Sequence, residues 1–138
     1  MRILVLCTHN ARRSQLAEAL LRWLAGDRCE VVSAGTEPGS IDPRVFEVLH
    51  ELGVPTDGLH SKSVEAFRTT AFDLVITVCD HAREHCPVFP GAPRMLHWSL
   101  PDPGQAGGSP EQQLDAFRRV RDELRERICR EILPLLDT

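Results

Sequence analysis

Apolar positions alternate along the chain between short continuous runs and stretches of helical spacing. Residues Arg2 to Leu6 (RILVL) predict a short buried strand. After a polar loop, Leu16, Ala19, Leu20, Trp23 and Leu24 recur every three or four positions, predicting an amphipathic helix that Gly26 ends. Glu30 to Ala34 (EVVSA) reads as a second strand, closed by Gly35 and the turn-rich TEPGS. Pro43 suits the first turn of a helix with Val45, Val48, Leu49 and Leu52 on one face and Gly53 as its stop. Val54 to His60 reads as loop and Ser63 to Phe67 as a short helical stretch. Asp73 to Val78 (DLVITV) is the most apolar β-branched run, so it predicts a central strand. The polar segment from Cys79 to Cys86 predicts a mobile loop of low local stability. A strand near Arg94 to Trp98 and a Pro/Gly-rich loop from Pro101 to Pro110 follow. A long helix then carries Leu114, Phe117, Val120, Leu124, Ile128 and Ile132 as its inward stripe.

Strands alternating with helices imply an α/β fold, a single-domain three-layer arrangement with a four-stranded parallel sheet and helices on both faces. In such a fold, ligands bind at the carboxyl ends of the strands, near a switch point. Cys7, Cys79 and Asp102 each follow a predicted strand and are expected to converge there. The 138 residues, 42% hydrophobic and 26% charged, fit one domain over residues 1–138.

The apolar run in MRILVLC is too short for a signal segment or a membrane span, so the chain is expected in the cytoplasm. Five cysteines, Cys7, Cys29, Cys79, Cys86 and Cys129, with no export signal point to thiol chemistry or burial rather than a disulfide framework. A net charge of -4, with arginines mixed among acidic residues along the last helix, argues against a nucleic-acid partner.

The densest chemistry lies in Cys7-Thr8-His9-Asn10-Ala11-Arg12-Arg13-Ser14, between the first strand and the first helix. Successive N–H groups of such a loop, together with the helix N-terminus, can surround one tetrahedral anion, so Thr8 to Ser14 are its expected contacts. Arg13 can add a bidentate fork to two oxygens, and the same positive field favours the thiolate form of Cys7 as a nucleophile. Asn10 is expected to hold the loop's shape by local hydrogen bonds, and Ser14 to donate to the Cys7 sulfur. A Cys-x5-Arg spacing alone is common by chance. Its position directly after a strand and before a helix gives it weight.

With these motifs the chain resembles, over essentially its whole length, the low-molecular-weight protein tyrosine phosphatases and the arsenate reductases built on their fold. The resemblance implies that Cys7 is the nucleophile, Arg13 the oxyanion ligand and Asp102, in Asp102-Pro103, the general acid. Position 9 is His where the family often has Gly, and position 12 is Arg where many members carry a second Cys. The pair Cys79 and Cys86 matches, at the same offset, a cysteine pair of the thioredoxin-coupled arsenate reductases. The implied reaction is reduction of arsenate to arsenite through a relay from Cys7 to Cys79 to Cys86, re-reduced by external thioredoxin, as in arsenical detoxification. The implied protein has no bound cofactor, works as a monomer and keeps weak phosphatase activity. Some members hold potassium beside the loop. Asn10, Glu18 and Ser33 resemble that site, but Lys62 or Ser63 stands where those members add an aspartate, and no metal is assigned.

Two electrons must come from further thiols if an oxyanion is reduced, whereas ester hydrolysis needs one thiolate, one arginine and one acid. The aromatic residues that phosphatase members commonly show after Asp-Pro are absent from DPGQAGG, and the chain has no Tyr. The alternative enzyme is a low-molecular-weight phosphatase acting on phosphotyrosine or small phosphoesters through a cysteinyl-phosphate. A non-catalytic alternative is metal binding by Cys79, His81, His85 and Cys86. Cys29 and Cys129 are given no redox role.

Overall fold

Continuous apolar runs become the middle of a fully covered sheet. The computed structural model describes residues 1–136; the last two positions of the 138-residue span lie outside the described residues. Strands β1 (Arg2–Cys7), β2 (Glu30–Gly35), β3 (Leu74–Thr77) and β4 (Arg94–His97) pair in parallel in the order β2-β1-β3-β4. Ile3, Leu4, Val5 and Leu6 are all fully buried. Because successive strand residues point to opposite faces, both faces of β1 must be covered. All four residues of β3 are buried likewise, while Arg94 and Met95 on the edge strand β4 are exposed.

The covering helices are α1 (Arg13–Ala25), α2 (Pro43–Glu51), α3 (Asp80–Glu84) and α4 (Pro110–Arg127), the last running through a π-helical turn, Ile128–Ile132, into α5 (Leu133–Leu136). Their starts follow from local chemistry. Asp42 caps α2 by accepting from the Arg44 N–H, and a reciprocal Ser109–Gln112 capping box opens α4, each with proline in the first turn. Helices α1, α2 and α4 pack on one another, and α3 lies against β1 and β3. The buried apolar side chains form one contiguous cluster. Among the described residues, no helix is long and apolar enough to cross a membrane.

Three expectations are corrected. The segment after Cys79 is not a loop: Asp80–Glu84 is the helix α3, because the Cys79 sulfur caps it by accepting from the Ala82 N–H at 3.4 Å and Ala82 is buried. Trp23 does not join the core. It is 37% exposed and lies under the Arg125 guanidinium, 5.3 Å from the ring centroid, while Leu21 is fully buried instead. Cys129 is exposed rather than packed as a small apolar side chain.

The strand order creates the site. From β1 the chain crosses to β2 on one side, while β3 occupies the other, so the carboxyl ends of β1 and β3 open a crevice. Leu6 is in register with Thr77, and the Val78 N–H donates to the Leu6 carbonyl at 3.0 Å. Cys7 and Cys79 therefore leave neighbouring strand ends side by side.

Candidate active site

The loop between β1 and α1 is fixed from outside by its carbonyls. Those of Cys7, Thr8, His9 and Ala11 accept from the N–H groups of Thr36, Glu37, Gly39 and Asp42, and the Asn10 carbonyl accepts from Gln15 Nε2. The Arg12 carbonyl accepts from the Leu16 N–H in the first turn of α1. In a trans peptide the N–H points opposite the carbonyl. With every carbonyl from Cys7 to Arg12 turned to the scaffold, the N–H edge curls toward the Cys7 sulfur, and the Asn10 N–H reaches it at 3.2 Å. That inward N–H edge is an anion nest.

Asn10 permits this curl. Its φ of 51° lies in the left-handed region that Asn tolerates better than most residues, and its side chain secures the turn. Nδ2 donates to Ser14 Oγ and Ser33 Oγ, both at 2.8 Å, and Oδ1 accepts from the Lys62 N–H at 2.8 Å. Because Ser14 Oγ accepts from Asn10, its own hydrogen is free to point at the Cys7 sulfur, 2.8 Å away. Ser14 and Asn10 are fully buried behind the sulfur. Their side chains support the loop from behind, so any contact of theirs with an anion falls to their backbone N–H groups.

Cys7, Thr8, His9, Ala11, Arg12, Arg13 and Asp102 line one small cavity of about 20 Å³. Arg13 Nη1 donates to the Leu100 carbonyl at 2.9 Å, and Nη2 lies 4.0 Å from Asp102 Oδ2. The arginine thus joins the loop after β1 to the loop that carries Asp102. Asp102 caps the 3₁₀ turn Pro103–Gln105 with Oδ1, which accepts from the Gly104 N–H at 2.9 Å, leaving Oδ2 toward the two arginines. A wider groove of about 690 Å³ opens across the acid loop, lined by Leu100, Pro101, Ala106 and Val120 among others. It contains neither Cys7 nor Arg13, though Asp102 borders both spaces.

Cys79 touches the same loop, its sulfur 3.2 Å from Thr8 Oγ1. Cys86 does not reach the cavity. It is half-buried beyond α3, and burial pushes its thiol up from the ordinary value. Burial does the same to Cys29, outweighing the N-terminus and Arg28, which suits an inert thiol. His81 and His85 stack on each other at 4.1 Å between centroids, and among the described residues no group of three or more His, Cys, Asp or Glu side chains is arranged to hold a metal. The metal-binding alternative through Cys79, His81, His85 and Cys86 therefore has no geometry behind it.

Glu18, Ser33, Gly35, Asp42 and Lys62 support the site; the sequence points to Glu18, Ser33 and Lys62 only in connection with potassium, to Gly35 only as the end of a strand, and to Asp42 not at all. Glu18 is fully buried; its Oε1 accepts from Ser33 N–H and Oγ at 2.7 and 2.9 Å and lies 3.3 Å from Lys62 Nζ. Lys62 Nζ also donates to the His60 carbonyl at 2.7 Å. An ammonium already sits among these oxygens, so the residues present do not fit a bound potassium ion.

Gly35 is chosen by contact. A Cβ there would stand 2.6 Å from the Thr8 carbonyl oxygen and 2.9 Å from the Asn10 nitrogen, both backbone atoms of the nest. Gly35→Ala is expected to distort the loop and weaken inorganic phosphate binding by roughly 10-fold or more, the scale of a misplaced positioning group. Isothermal titration with phosphate checks it; unchanged affinity would mean the loop does not form the nest.

Asp42 ties α2 to this loop. Its carboxylate accepts from Arg44 Nε and Nη2 at 3.0 and 2.7 Å and from Arg12 Nε at 3.0 Å. Burial pushes its carboxyl up, but these hydrogen bonds and charges outweigh it and hold the group at about 2. The unfolded chain, near ~3.9, takes up the proton first as pH falls. The stabilisation is thus complete above about pH 4 and is lost toward pH 2, worth on the order of 1 kcal/mol after allowing for solvent screening. Urea unfolding of wild type and Asp42→Asn should show a stability gap at pH 6 that shrinks by pH 3.

A parallel sheet that presents a Cys-x5-Arg nest, a support network behind the sulfur and an aspartate across the mouth defines an α/β protein built to bind an oxyanion beside a cysteine. The chain belongs to the low molecular weight phosphotyrosine protein phosphatase family, whose model matches residues 2–137. An arsenate reductase of Halalkalibacterium halodurans is 37% identical over 126 residues, 91% of each chain. Among solved structures, an arsenate reductase in an oxidized state superposes with a TM-score of 0.82 at 26% identity, over 97% of this chain and 98% of that one. A thioredoxin-dependent arsenate reductase of Corynebacterium glutamicum is 34% identical with a TM-score of 0.75, over 99% of this chain and 61% of that one.

Proposed function

We propose that this protein reduces arsenate to arsenite through a relay of Cys7, Cys79 and Cys86, with thioredoxin as the external reductant. The observation that carries the reading is the second thiol at the nest: Cys79, 3.2 Å from Thr8 Oγ1, on the strand end beside Cys7. A phosphatase has no use for it. The arsenate reductases among the relatives support the same substrate, and the thioredoxin-dependent relative supports the same reductant.

In the first step the Cys7 thiolate attacks arsenic, and Asp102 gives a proton to a hydroxyl that leaves as water. Arg13 and the N–H edge take the charge of the remaining oxygens. Cys79 then attacks the Cys7 sulfur; the S–As bond breaks, its electron pair reduces As(V) to As(III), and arsenite departs. Cys86 next attacks Cys79, frees the Cys7 thiolate and leaves a Cys79–Cys86 disulfide for a dithiol to reduce.

That last exchange needs motion. Seven residues spanned largely by a helix cover roughly 10 Å, beyond the ~4.4–6.8 Å between Cα atoms of a disulfide. Helix α3 must therefore unwind. It is five residues long, and its cap is the Cys79 sulfur itself, so oxidation of Cys79 removes the cap. The work of Cys86 waits until this motion takes its thiol out of burial.

The test is turnover of arsenate with thioredoxin, thioredoxin reductase and NADPH, beside hydrolysis of an aryl phosphate. Arsenate-dependent NADPH oxidation is expected, with weak ester hydrolysis; efficient hydrolysis without reduction would reverse the reading. Asp102→Asn keeps the shape of the acid without its proton, so the rate is expected to fall roughly 10²-fold or more. Phosphate affinity should change little, and an unchanged pH–rate profile would reduce Asp102 to the cap of its turn.

A further inference from the structure

Arg12 lies where a side chain of residue 104 would project. A Cβ built on Gly104 would stand 2.3 Å from Arg12 Cζ and Nε and 2.8 Å from Nη1, so the guanidinium rests on the bare face of that glycine. Gly104 has no left-handed backbone that would demand glycine; among the positive-φ residues it is absent. The space, not the conformation, sets the residue.

The guanidinium is held in that place from behind. Nε donates to Asp42 Oδ2 at 3.0 Å, Asp42 is clamped by Arg44, and Arg44 lies 4.5 Å over the Phe117 ring of α4. Nη1 faces Asp102 Oδ2 at 3.6 Å. An anchored guanidinium therefore stands at the mouth between the Cys7–Arg13 loop and the Asp102 loop. What remains is the cavity of about 20 Å³. Arg12 and Arg13 both line that cavity beside Cys7, so the guanidinium stands where a substituent on a bound anion would have to pass.

We propose that Arg12, seated on Gly104 and anchored by Asp42, is a specificity-determining residue that favours free inorganic oxyanions over aryl esters. The guanidinium fills the volume into which a leaving group would extend, and its charge favours an anion that keeps all its oxygens unesterified. This inference rests on the reading of the cavity as the oxyanion site and deepens its substrate class.

The test compares inhibition by inorganic phosphate and by phenyl phosphate, and kcat/KM for p-nitrophenyl phosphate and arsenate, in wild type, Arg12→Ala and Gly104→Ala. Inhibition constants need no electron transfer, so they read the inference even if arsenate reduction itself fails. Arg12→Ala is expected to shift the ratio of the two inhibition constants toward phenyl phosphate by roughly 10-fold, the scale of filling or emptying a pocket. Gly104→Ala keeps the charge and only displaces the guanidinium, and it should move the ratio in the same direction by a smaller factor. A ratio unmoved in Arg12→Ala, or affinity for both anions lost equally, would overturn the inference. A shift in Arg12→Ala with none in Gly104→Ala would overturn it too, leaving charge without fit.

Discussion

Cys7→Ser is expected to abolish arsenate reduction and aryl phosphate hydrolysis together, with kcat lower by on the order of 10⁴-fold or more, as for other removed nucleophiles. The sulfur lies between the Asn10 N–H and Ser14 Oγ, at 3.2 and 2.8 Å, in a nest whose carbonyls all point away. Donors so arranged hold the sulfur facing the nest. A serine hydroxyl in the same place stays protonated near neutral pH, and a neutral hydroxyl is a far poorer nucleophile. The variant should still bind inorganic phosphate, because Arg13 and the N–H edge remain. Single-turnover and steady-state assays check the loss, and phosphate titration checks the retained nest. Substantial turnover would remove Cys7 from the mechanism.

The second large effect separates reduction from hydrolysis. On the proposed mechanism both reactions use Cys7, Arg13 and Asp102, and they differ in their need for Cys79 and Cys86. On the relay account, Cys79→Ser should stop multiple turnover of arsenate and leave no intramolecular disulfide. Cys86→Ser should stop one step later, with Cys7 and Cys79 joined. Each is expected to lower steady-state reduction by on the order of 10³-fold or more, since no neighbouring thiol replaces the missing attacker. Aryl phosphate hydrolysis should persist in both, because a cysteinyl-phosphate is opened by water. Serine in place of Cys79 also keeps a cap for α3, so a fall in activity would not reflect a lost helix.

Much of this was legible in the chain. The RILVL and DLVITV runs marked the two central strands because residues buried on both faces leave no polar alternation, and the Cys7–Arg13 segment could be placed between a strand and a helix. The less legible parts are those set by tertiary contact. Nothing local distinguishes Gly35 from a turn glycine; its cause is the Thr8 carbonyl 2.6 Å from where a Cβ would be. Asp42 reads as a helix cap, and only the fold brings Arg12 to it from thirty residues away. Helix α3 was hidden because its cap is a cysteine, a residue type that capping rules do not favour. Trp23 kept helical spacing but fell at the margin of the stripe, where Arg125 covers its face.

Reduction through a three-thiol relay is tested most directly by trapping its intermediate. Fully reduced Cys86→Ser protein is mixed with one equivalent of arsenate, blocked with a thiol alkylating reagent and mapped by peptide mass spectrometry without reduction. The account predicts a Cys7–Cys79 disulfide, with arsenite released in equal amount. Free, alkylated Cys7 and Cys79 with no arsenite formed would contradict it, and the family's hydrolytic chemistry would then describe this protein better.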